Sequence, residues 1–174
     1  RGAALYVAEQ YAEVLREADL IFATDMTNLA TLKALSGYTC PAVMFFHENQ
    51  LSYPLPDGDN LDLHFGFINL TAALVADRCL FNSKYQLDQF DQESKNFINN
   101  IPEFAPERAH HELMKRSRVI YMGIDVSAFS HPPVLNNPQP IILWNHRWEF
   151  DKQPEVFFRL LYKLDAEALP FKLI

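Results

Sequence analysis

Short apolar runs alternate with stretches of helical periodicity along the chain. The runs predict four strands, at residues 20–23, 42–46, 78–81 and 117–121. Apolar positions between them recur at the spacing of a helix face, which predicts one helix that ends near Asp19 and another that begins at Leu29. Thr24, Asp25 and Thr27 are residue types that favour the N-cap of this second helix. The run at 42–46 is apolar at every position, as expected for a parallel sheet that helices cover on both faces. The alternation therefore predicts a doubly wound α/β domain.

A second α/β pattern begins at Ile141. Residues 141–144 form a predicted strand, Pro154 suits the first turn of a predicted helix, and residues 171–174 form a further predicted strand. The segment 130–140 holds four prolines and two asparagines, which is typical of a linker. We therefore predict an N-terminal domain at 1–130, a linker at 131–140 and the beginning of a second domain at 141–174. Both ends of the chain are expected to be cut.

Composition narrows the class of protein. Half of the residues (49%) are apolar, which is typical of a globular chain. No apolar run is long enough to cross a bilayer, and no secretory signal pattern is present. Cys40 and Cys79 are too few for a disulfide scaffold, so the cytoplasm is the expected compartment, with the nucleus as the alternative. The net charge of −7 argues against broad electrostatic binding of nucleic acid, although a local basic patch could still contact RNA.

Polar side chains follow the second predicted strand directly. His47, Glu48, Asn49 and Gln50 come at the carboxyl end of the apolar run. Open α/β sheets bind ligands beyond the carboxyl ends of their strands, and four polar groups in a row are costly to bury without partners. The pattern indicates binding or catalysis, and a structural hydrogen-bonding role for His47 is an equal alternative.

The loop at residues 145–153 joins a predicted strand to a predicted helix. Such a loop directs free backbone N–H groups and the positive end of the helix dipole at one point, which suits a phosphate. Arg147 supplies a planar guanidinium and Lys152 a mobile ammonium, so the two could hold a diphosphate. The alternative is that they only pair with neighbouring Glu149 and Asp151. Taken alone, the loop favours this alternative, because surface ion pairs are common and weak.

Three weaker signals lie elsewhere in the chain. Asn82 and Ser83 follow the third predicted strand, where a helix N-cap is the favoured interpretation. Gly123 allows a close backbone approach or a positive φ. The basic residues form one cluster, for which a solvated face is favoured over a contact to RNA: Arg108, His110, His111, Lys115, Arg116 and Arg118. The His110–His111 pair lacks the companion ligands of a metal site.

Several segments resemble retaining family-four glycosyltransferases of the GT-B fold. Residues 119–129 contain, in order, apolar residues, Gly123, the apolar Ile124, Asp125 and finally Phe129. This pattern is similar to the segment that closes the N-terminal domain in that family. Arg147 and Lys152 have the five-residue spacing of its diphosphate-binding pair. His47 matches a histidine of that family that follows a strand of the N-terminal domain and faces the transferred sugar. Residues 77–83 resemble the family's segment of an aspartate, an apolar strand and a serine.

A closer resemblance exists to the tRNA-queuosine α-mannosyltransferase branch of that family. Residues 45–54 and 143–152 carry it, and the similarity extends along nearly the whole chain. The resemblance implies a GT-B type α/β fold: an incomplete Rossmann-like N-terminal domain and the first β-α-β of a second Rossmann-like domain. The family's glycine-rich acceptor loop and paired glutamates are not found, so this chain by itself is expected to be inactive.

The resemblance also implies an activity and a set of site residues. It implies a retaining transfer of mannose from GDP-mannose to queuosine in tRNA(Asp), with no metal or other cofactor. We expect no membrane partner and infer no protein partner. The implied catalytic residues are His47, Arg147 and Lys152, and the implied substrate-binding residues are Glu48, Asn49, Gln50, Asn82, Ser83 and Gly123. Another acceptor, a sugar-nucleotide isomerase or hydrolase, and a non-catalytic RNA-binding relic remain alternatives.

Overall fold

The computed structural model describes residues 2–56, 58, 62–102, 106–127 and 137–174. The chain divides into two compact units. The first takes in the described residues of 2–53 and 62–123, and the second takes in 54–56, 58 and the described residues from 124 onward. The linker predicted at 131–140 lies outside the described residues for most of its length. In the part of the chain that the structure describes, no helix is both long enough and apolar enough to span a membrane.

The first unit is built on a parallel four-stranded sheet. Its strands are β1 (Ile21–Thr24), β2 (Ala42–Phe46), β3 (Arg78–Phe81) and β4 (Ser117–Val119), and they lie in the order β1-β2-β3-β4. Its helices are α1 (Ala3–Glu17), α2 (Leu29–Ser36), α3 (Leu63–Val75), α4 (Lys84–Asn99) and α5 (Glu107–Lys115). The predicted α/β class with a parallel sheet is confirmed and is consistent with a Rossmann-like domain.

One face of this sheet carries the core. Because each strand pairs with the next one in the chain, right-handed crossovers place the connecting helices on the same face. The strand side chains on that face are buried with residues of the helices: Ile21, Ala23, Ala42, Met44, Phe46, Cys79 and Phe81. The alternate positions stay partly exposed, since Phe22 is 61% exposed and Phe45 and Leu80 are half-buried. The expectation of helices on both faces is not met in the described part of this unit.

Local sequence signals explain where the helices begin and end. The Asn28 side chain accepts from the Thr31 N–H at 3.0 Å and caps α2, and Gly37 ends that helix with φ = 70°. The predicted candidates for this cap were Thr24, Asp25 and Thr27, so the cap lies one residue later than the last of them. Asp25 does not cap this helix; its side chain accepts a hydrogen bond from the backbone N–H of His47.

The second unit contains one β-α-β element. Strands β5 (Ile141–Ile142) and β6 (Lys172–Leu173) pair in parallel, and a 3-10 turn (Phe150–Lys152) and helix α6 (Pro154–Ala166) connect them. Pro154 occupies the first turn of α6 as predicted. The prediction of a buried strand over 141–144 is wrong in the described residues: the strand is two residues long and Leu143 is 64% exposed. An apolar run alone does not show which of its side chains are buried in the folded protein.

Candidate functional site

His47 lies at the carboxyl end of β2 and is held by an acid at the end of β1. Its Nδ1 lies 3.0 Å from Asp25 Oδ1, and its backbone N–H donates to the same oxygen at 3.1 Å. The Asp25 side chain is 2% exposed, whereas the His47 side chain is 46% exposed. The two residues therefore combine a buried acceptor with an accessible imidazole. This arrangement fits the polar edge that the sequence predicts.

Asn69, on α3, connects the turns that follow β1 and β2. Its Nδ2 donates to the Asp25 carbonyl at 2.9 Å, and its Oδ1 accepts from the Gln50 N–H at 2.8 Å. Asn69 is 2% exposed, so both ends of its amide are used inside the protein. Sequence reasoning missed Asn69 and gave Asp25 only a capping role. A polar residue at the carboxyl end of the strand next to His47 was the signal that could have found Asp25.

The three residues after His47 differ in their surroundings. Glu48 and Gln50 are half-buried and bonded to each other, with Gln50 Nε2 donating to Glu48 Oε1 at 3.2 Å. Asn49 is 2% exposed, and its Oδ1 accepts from the N–H groups of Leu51 and Ser52, each at 3.1 Å. Its Nδ2 donates to Gln86 Oε1 on α4 at 3.0 Å. Asn49 thus holds the turn in shape, and a substrate contact through it stays a prediction.

Asn82 and Ser83 have separate tasks in the turn after β3. The Ser83 hydroxyl accepts from the Gln86 N–H at 3.2 Å and caps α4. Asn82 does not cap the helix: its Nδ2 donates to the His47 carbonyl at 2.8 Å and so links the turns after β2 and β3. Capping is confirmed for Ser83 only. Substrate binding by either residue stays a prediction.

Gly123 is exposed, and its φ is not positive. A Cβ added there would have nothing within 4 Å. Neither of the two uses that the sequence suggests for this glycine, a positive φ or a close approach of protein backbone, is present in the described residues. Its contact to a substrate stays a prediction.

A cavity of about 310 Å³ lies next to the buried acid. Its polar lining residues are Asp25, Asn28, Gln50 and Asn69, and its apolar ones are Ala3, Ala4, Met26, Phe65 and Ile68. A few polar groups set in an apolar wall are typical of a ligand-binding cavity.

Arg147 and Lys152 of the second unit are each paired with an adjacent acid. Arg147 Nη1 lies 3.8 Å from Glu149 Oε1, and its side chain is 77% exposed. Lys152 Nζ lies 2.6 Å from Asp151 Oδ2, and this hydrogen bond holds the pKa of the Asp151 carboxyl below its usual value. These contacts agree with the alternative interpretation of the loop, in which Arg147 and Lys152 pair with neighbouring acids. Arg147–Glu149 is an exposed pair, of a kind that contributes little to stability, whereas Asp151 and Lys152 are partly buried.

The beginning of α6 offers fewer donors than the sequence suggests. The N–H groups of Val156 and Phe157 both donate to the Gln153 carbonyl, at 3.1 and 3.2 Å, and Pro154 has none. Gln153 reaches this position with φ = 49°. Only the Glu155 N–H of the first turn is left for a ligand within the described residues. The expectation of several free N–H groups is wrong, because the turn before the helix closes on itself.

Aromatic side chains pack together beside this loop. The rings of Trp144 and Phe157 lie 4.5 Å apart between centroids, and those of Trp148 and Phe158 lie 5.1 Å apart. Trp148 is nevertheless 65% exposed. The two tryptophans thus belong to one ring cluster around the base of α6.

The predicted cationic cluster is only partly a solvated face. Arg108, His111, Lys115 and Arg118 are exposed. Arg116 instead donates to the carbonyls at the end of α3, and His110 is 8% exposed with Nε2 at 3.0 Å from Ser94 Oγ. No group of three or more potential metal ligands occurs among the described side chains.

Residues 1–124 match the family model described as the tRNA-queuosine alpha-mannosyltransferase N-terminal domain. The chain belongs to this family. The matched range includes the whole polar edge of the sheet with His47, and it excludes Arg147 and Lys152.

A relative from Drosophila melanogaster extends the comparison to the second unit. This protein, named tRNA-queuosine alpha-mannosyltransferase, is 29% identical over 167 residues, which cover 88% of this chain and 44% of the relative. An alignment that covers 88% of the 174 residues extends beyond residues 1–124 into the second unit. The chain spans less than half the length of this relative. Membership makes the chain part of a glycosyltransferase family whose named activity is mannosyl transfer.

Proposed function

We propose that the full-length protein is a retaining glycosyltransferase that moves mannose from GDP-mannose to queuosine in tRNA(Asp). The observation that carries this proposal is the family match over residues 1–124. The matched range holds an exposed imidazole supported by a buried carboxylate at the carboxyl edge of a parallel sheet, where such folds bind their ligands. The reaction belongs in the cytoplasm, with the nucleus as the alternative compartment.

Arg147 and Lys152 are proposed to bind the diphosphate of the donor. As the bond between the sugar C1 and the phosphate oxygen breaks, negative charge gathers on the leaving diphosphate. A guanidinium and an ammonium stabilise that charge where it develops, and electrostatic stabilisation of this kind usually contributes most to the rate. Loss of one of these contacts is expected to cost about 2–4 kcal/mol of transition-state stabilisation. The existing pairs with Glu149 and Asp151 must loosen first.

His47 is proposed to contact the transferred sugar, with Glu48 and Gln50 beside it on the acceptor side. We assign no protein side chain as the base. The acceptor hydroxyl oxygen forms the new bond to C1, and its proton passes to the leaving phosphate, so that GDP is the second product. This route uses no metal ion and no further cofactor.

The proposal places these residues in a GT-B type enzyme with two Rossmann-like domains. We propose that the acceptor loop and the paired glutamates implied by the resemblance lie outside these 174 residues. We therefore propose that the chain as given, purified alone, does not catalyse transfer. Activity is to be measured on the full-length protein.

The test is incubation of the full-length protein with GDP-mannose and queuosine-containing tRNA, followed by digestion and mass analysis of the nucleosides. We expect a nucleoside heavier than queuosine by one hexose and an equal amount of GDP. The same tRNA without queuosine is the control and should stay unmodified. Sugar-nucleotide turnover in the absence of any acceptor would instead indicate a hydrolase or isomerase. Binding of tRNA with no turnover of GDP-mannose would indicate a non-catalytic RNA-binding protein.

A further inference from the structure

The pairing of Asp25 with His47 determines which nitrogen of the imidazole carries a proton. Asp25 Oδ1 receives the backbone N–H of His47, a group that can only donate. The same oxygen lies 3.0 Å from His47 Nδ1. An ionised carboxylate is an acceptor only, so Nδ1 must be the protonated nitrogen. In the neutral ring the lone pair is therefore on Nε2.

The surroundings of the ring keep this nitrogen available. The ring of Phe45 meets the imidazole edge to face, with 4.7 Å between centroids, and restricts its tilt. Nε2 has no hydrogen-bond partner among the described residues, and the side chain is 46% exposed. Asn69 fixes the backbone on both sides, through the Asp25 carbonyl and the Gln50 N–H. Groups that hold the distal nitrogen of a functional histidine set its tautomer and orientation in this way.

We infer that Asp25 is a positioning residue that keeps His47 protonated on Nδ1, so that Nε2 accepts a hydrogen bond from a hydroxyl group of the substrate. A sugar or ribose hydroxyl is a donor of the required kind, and a phosphate is not. The inference rests on the proposed function for the identity of the substrate. The tautomer itself depends only on the contacts within the first unit.

The first test measures the tautomer without any catalysis. The full-length protein is labelled with 15N in histidine, and the two ring nitrogens of His47 are identified by comparison with His47→Gln. We expect the wild-type ring to show a protonated Nδ1 at neutral ring charge. Asp25→Ala should remove this preference. Asp25→Asn should keep it, because the backbone N–H of His47 orients the amide oxygen toward the ring. A wild-type ring protonated on Nε2, or no change in Asp25→Ala, would overturn the inference.

The second test measures turnover of GDP-mannose and tRNA by the same variants. We expect kcat to fall about ten- to a hundredfold in Asp25→Ala, because a misplaced catalytic contact costs this much, and to recover largely in Asp25→Asn. Asp77→Ala is the matched control: its Oδ2 also accepts a backbone N–H, that of Ala42 at 2.7 Å, at the opposite end of the sheet. A merely structural role would lower activity equally in Asp25→Ala and Asp77→Ala and would leave the tautomer unchanged. Such an outcome contradicts the inference.

A failure of the proposed function gives a different result. In that case the wild-type protein does not modify tRNA, while the tautomer measurement still confirms or rejects the positioning by Asp25. Addition of GDP-mannose, with GDP as the control, then reports on Nε2 directly. We expect the sugar nucleotide to shift the Nε2 resonance and GDP alone to leave it in place. Equal effects of the two ligands would overturn the assignment of Nε2 to a sugar hydroxyl.

Discussion

The side chain of Asn82 donates a hydrogen bond to the main-chain carbonyl of His47 at 2.8 Å. The two residues are the first after neighbouring parallel strands, so this bond joins two turns at the carboxyl edge of the sheet. The backbone N–H of Asn82 in turn donates to the Phe46 carbonyl at 3.2 Å. The turn that carries the imidazole is therefore fixed from both sides, by Asp25 and by Asn82.

We predict that Asn82→Ala lowers the free energy of unfolding by about 1 kcal/mol, the usual net worth of one hydrogen bond. The measurement is urea unfolding of the purified protein. Asn96→Ala is the control, since Asn96 lies exposed on α4 and its side chain makes a long contact of 3.5 Å to Glu93. Equal stability of wild type and Asn82→Ala would show that the link between the turns is dispensable. Asn82 would then be better explained by its predicted substrate contact.

Removal of the guanidinium from Arg147 should slow mannosyl transfer by the full-length protein. We expect Arg147→Ala to lower kcat/KM roughly a hundredfold or more, because one cationic contact to the leaving group is lost. Arg159→Ala is the matched control, since Arg159 is an exposed arginine on α6 of the same unit. The two variants change the net charge equally. Unaltered kinetics in Arg147→Ala would mean that the diphosphate is bound elsewhere.

Neutralising Asp151 should strengthen the binding of GDP. The carboxylate of Asp151 holds Lys152 Nζ at 2.6 Å and thus competes with a phosphate for the ammonium. We expect Asp151→Asn to tighten GDP binding a few fold, in line with the small energies of ion pairs near a protein surface, and we expect the gain to shrink with added salt. Titration calorimetry at two salt concentrations measures both effects. Asp165→Asn on α6 makes the same change in net charge and is the control. A similar gain in GDP affinity in Asp165→Asn would show that the effect comes from net charge and not from the release of Lys152.

Tyr38 contains a buried hydroxyl that has no hydrogen-bond partner among the described residues. Its side chain is 2% exposed, and burial raises its pKa from 10.0 to about 12. We predict that Tyr38→Phe raises the free energy of unfolding by about 1 kcal/mol at neutral pH, because an unsatisfied polar group is removed while the ring is kept. Exposed Tyr85→Phe is the control and should be neutral. A loss of stability in Tyr38→Phe would reveal a partner for the hydroxyl.

The same variant has a predictable dependence on pH. The pKa of Tyr38 is higher in the folded than in the unfolded chain, so the stability of the wild type does not depend on this group below pH 10 and falls as the pH rises from 10 toward 12. Phenylalanine has no such loss. The stability difference between Tyr38→Phe and wild type should therefore grow between pH 10 and 12, and thermal unfolding at several alkaline pH values would measure it. A constant difference would contradict the raised pKa.

The sequence predicts strands in this chain better than it predicts contacts. The bounds of β2 and β3 agree with the predicted strands at 42–46 and 78–81, although only alternate side chains of these strands are buried. The partnership of Asp25 with His47 could not be predicted in the same way. It depends on the pairing of β1 with β2, and a linear pattern does not state which strands are neighbours.

Two further residues show why other contacts of the site could not be predicted from the sequence. Asn49 is of a residue type that often binds ligands, yet its side chain is buried and hydrogen-bonded to the backbone of its own turn. Gln153 adopts a positive φ and so turns its carbonyl toward two of the first amides of α6. Both outcomes follow from short-range backbone geometry. Residue type alone does not predict such geometry, since glutamine and asparagine have many competing hydrogen-bond partners.

The strand order β1-β2-β3-β4 affects how this unit is made in the cell. Each strand hydrogen-bonds to the one synthesised just before it, so pairing never has to wait for a strand still inside the ribosome. The turn bearing Asp25 can receive His47 as soon as β2 has emerged, and Asn82 then closes the other side of the histidine turn. The polar edge can thus be assembled during translation, before the residues from 124 onward have been synthesised.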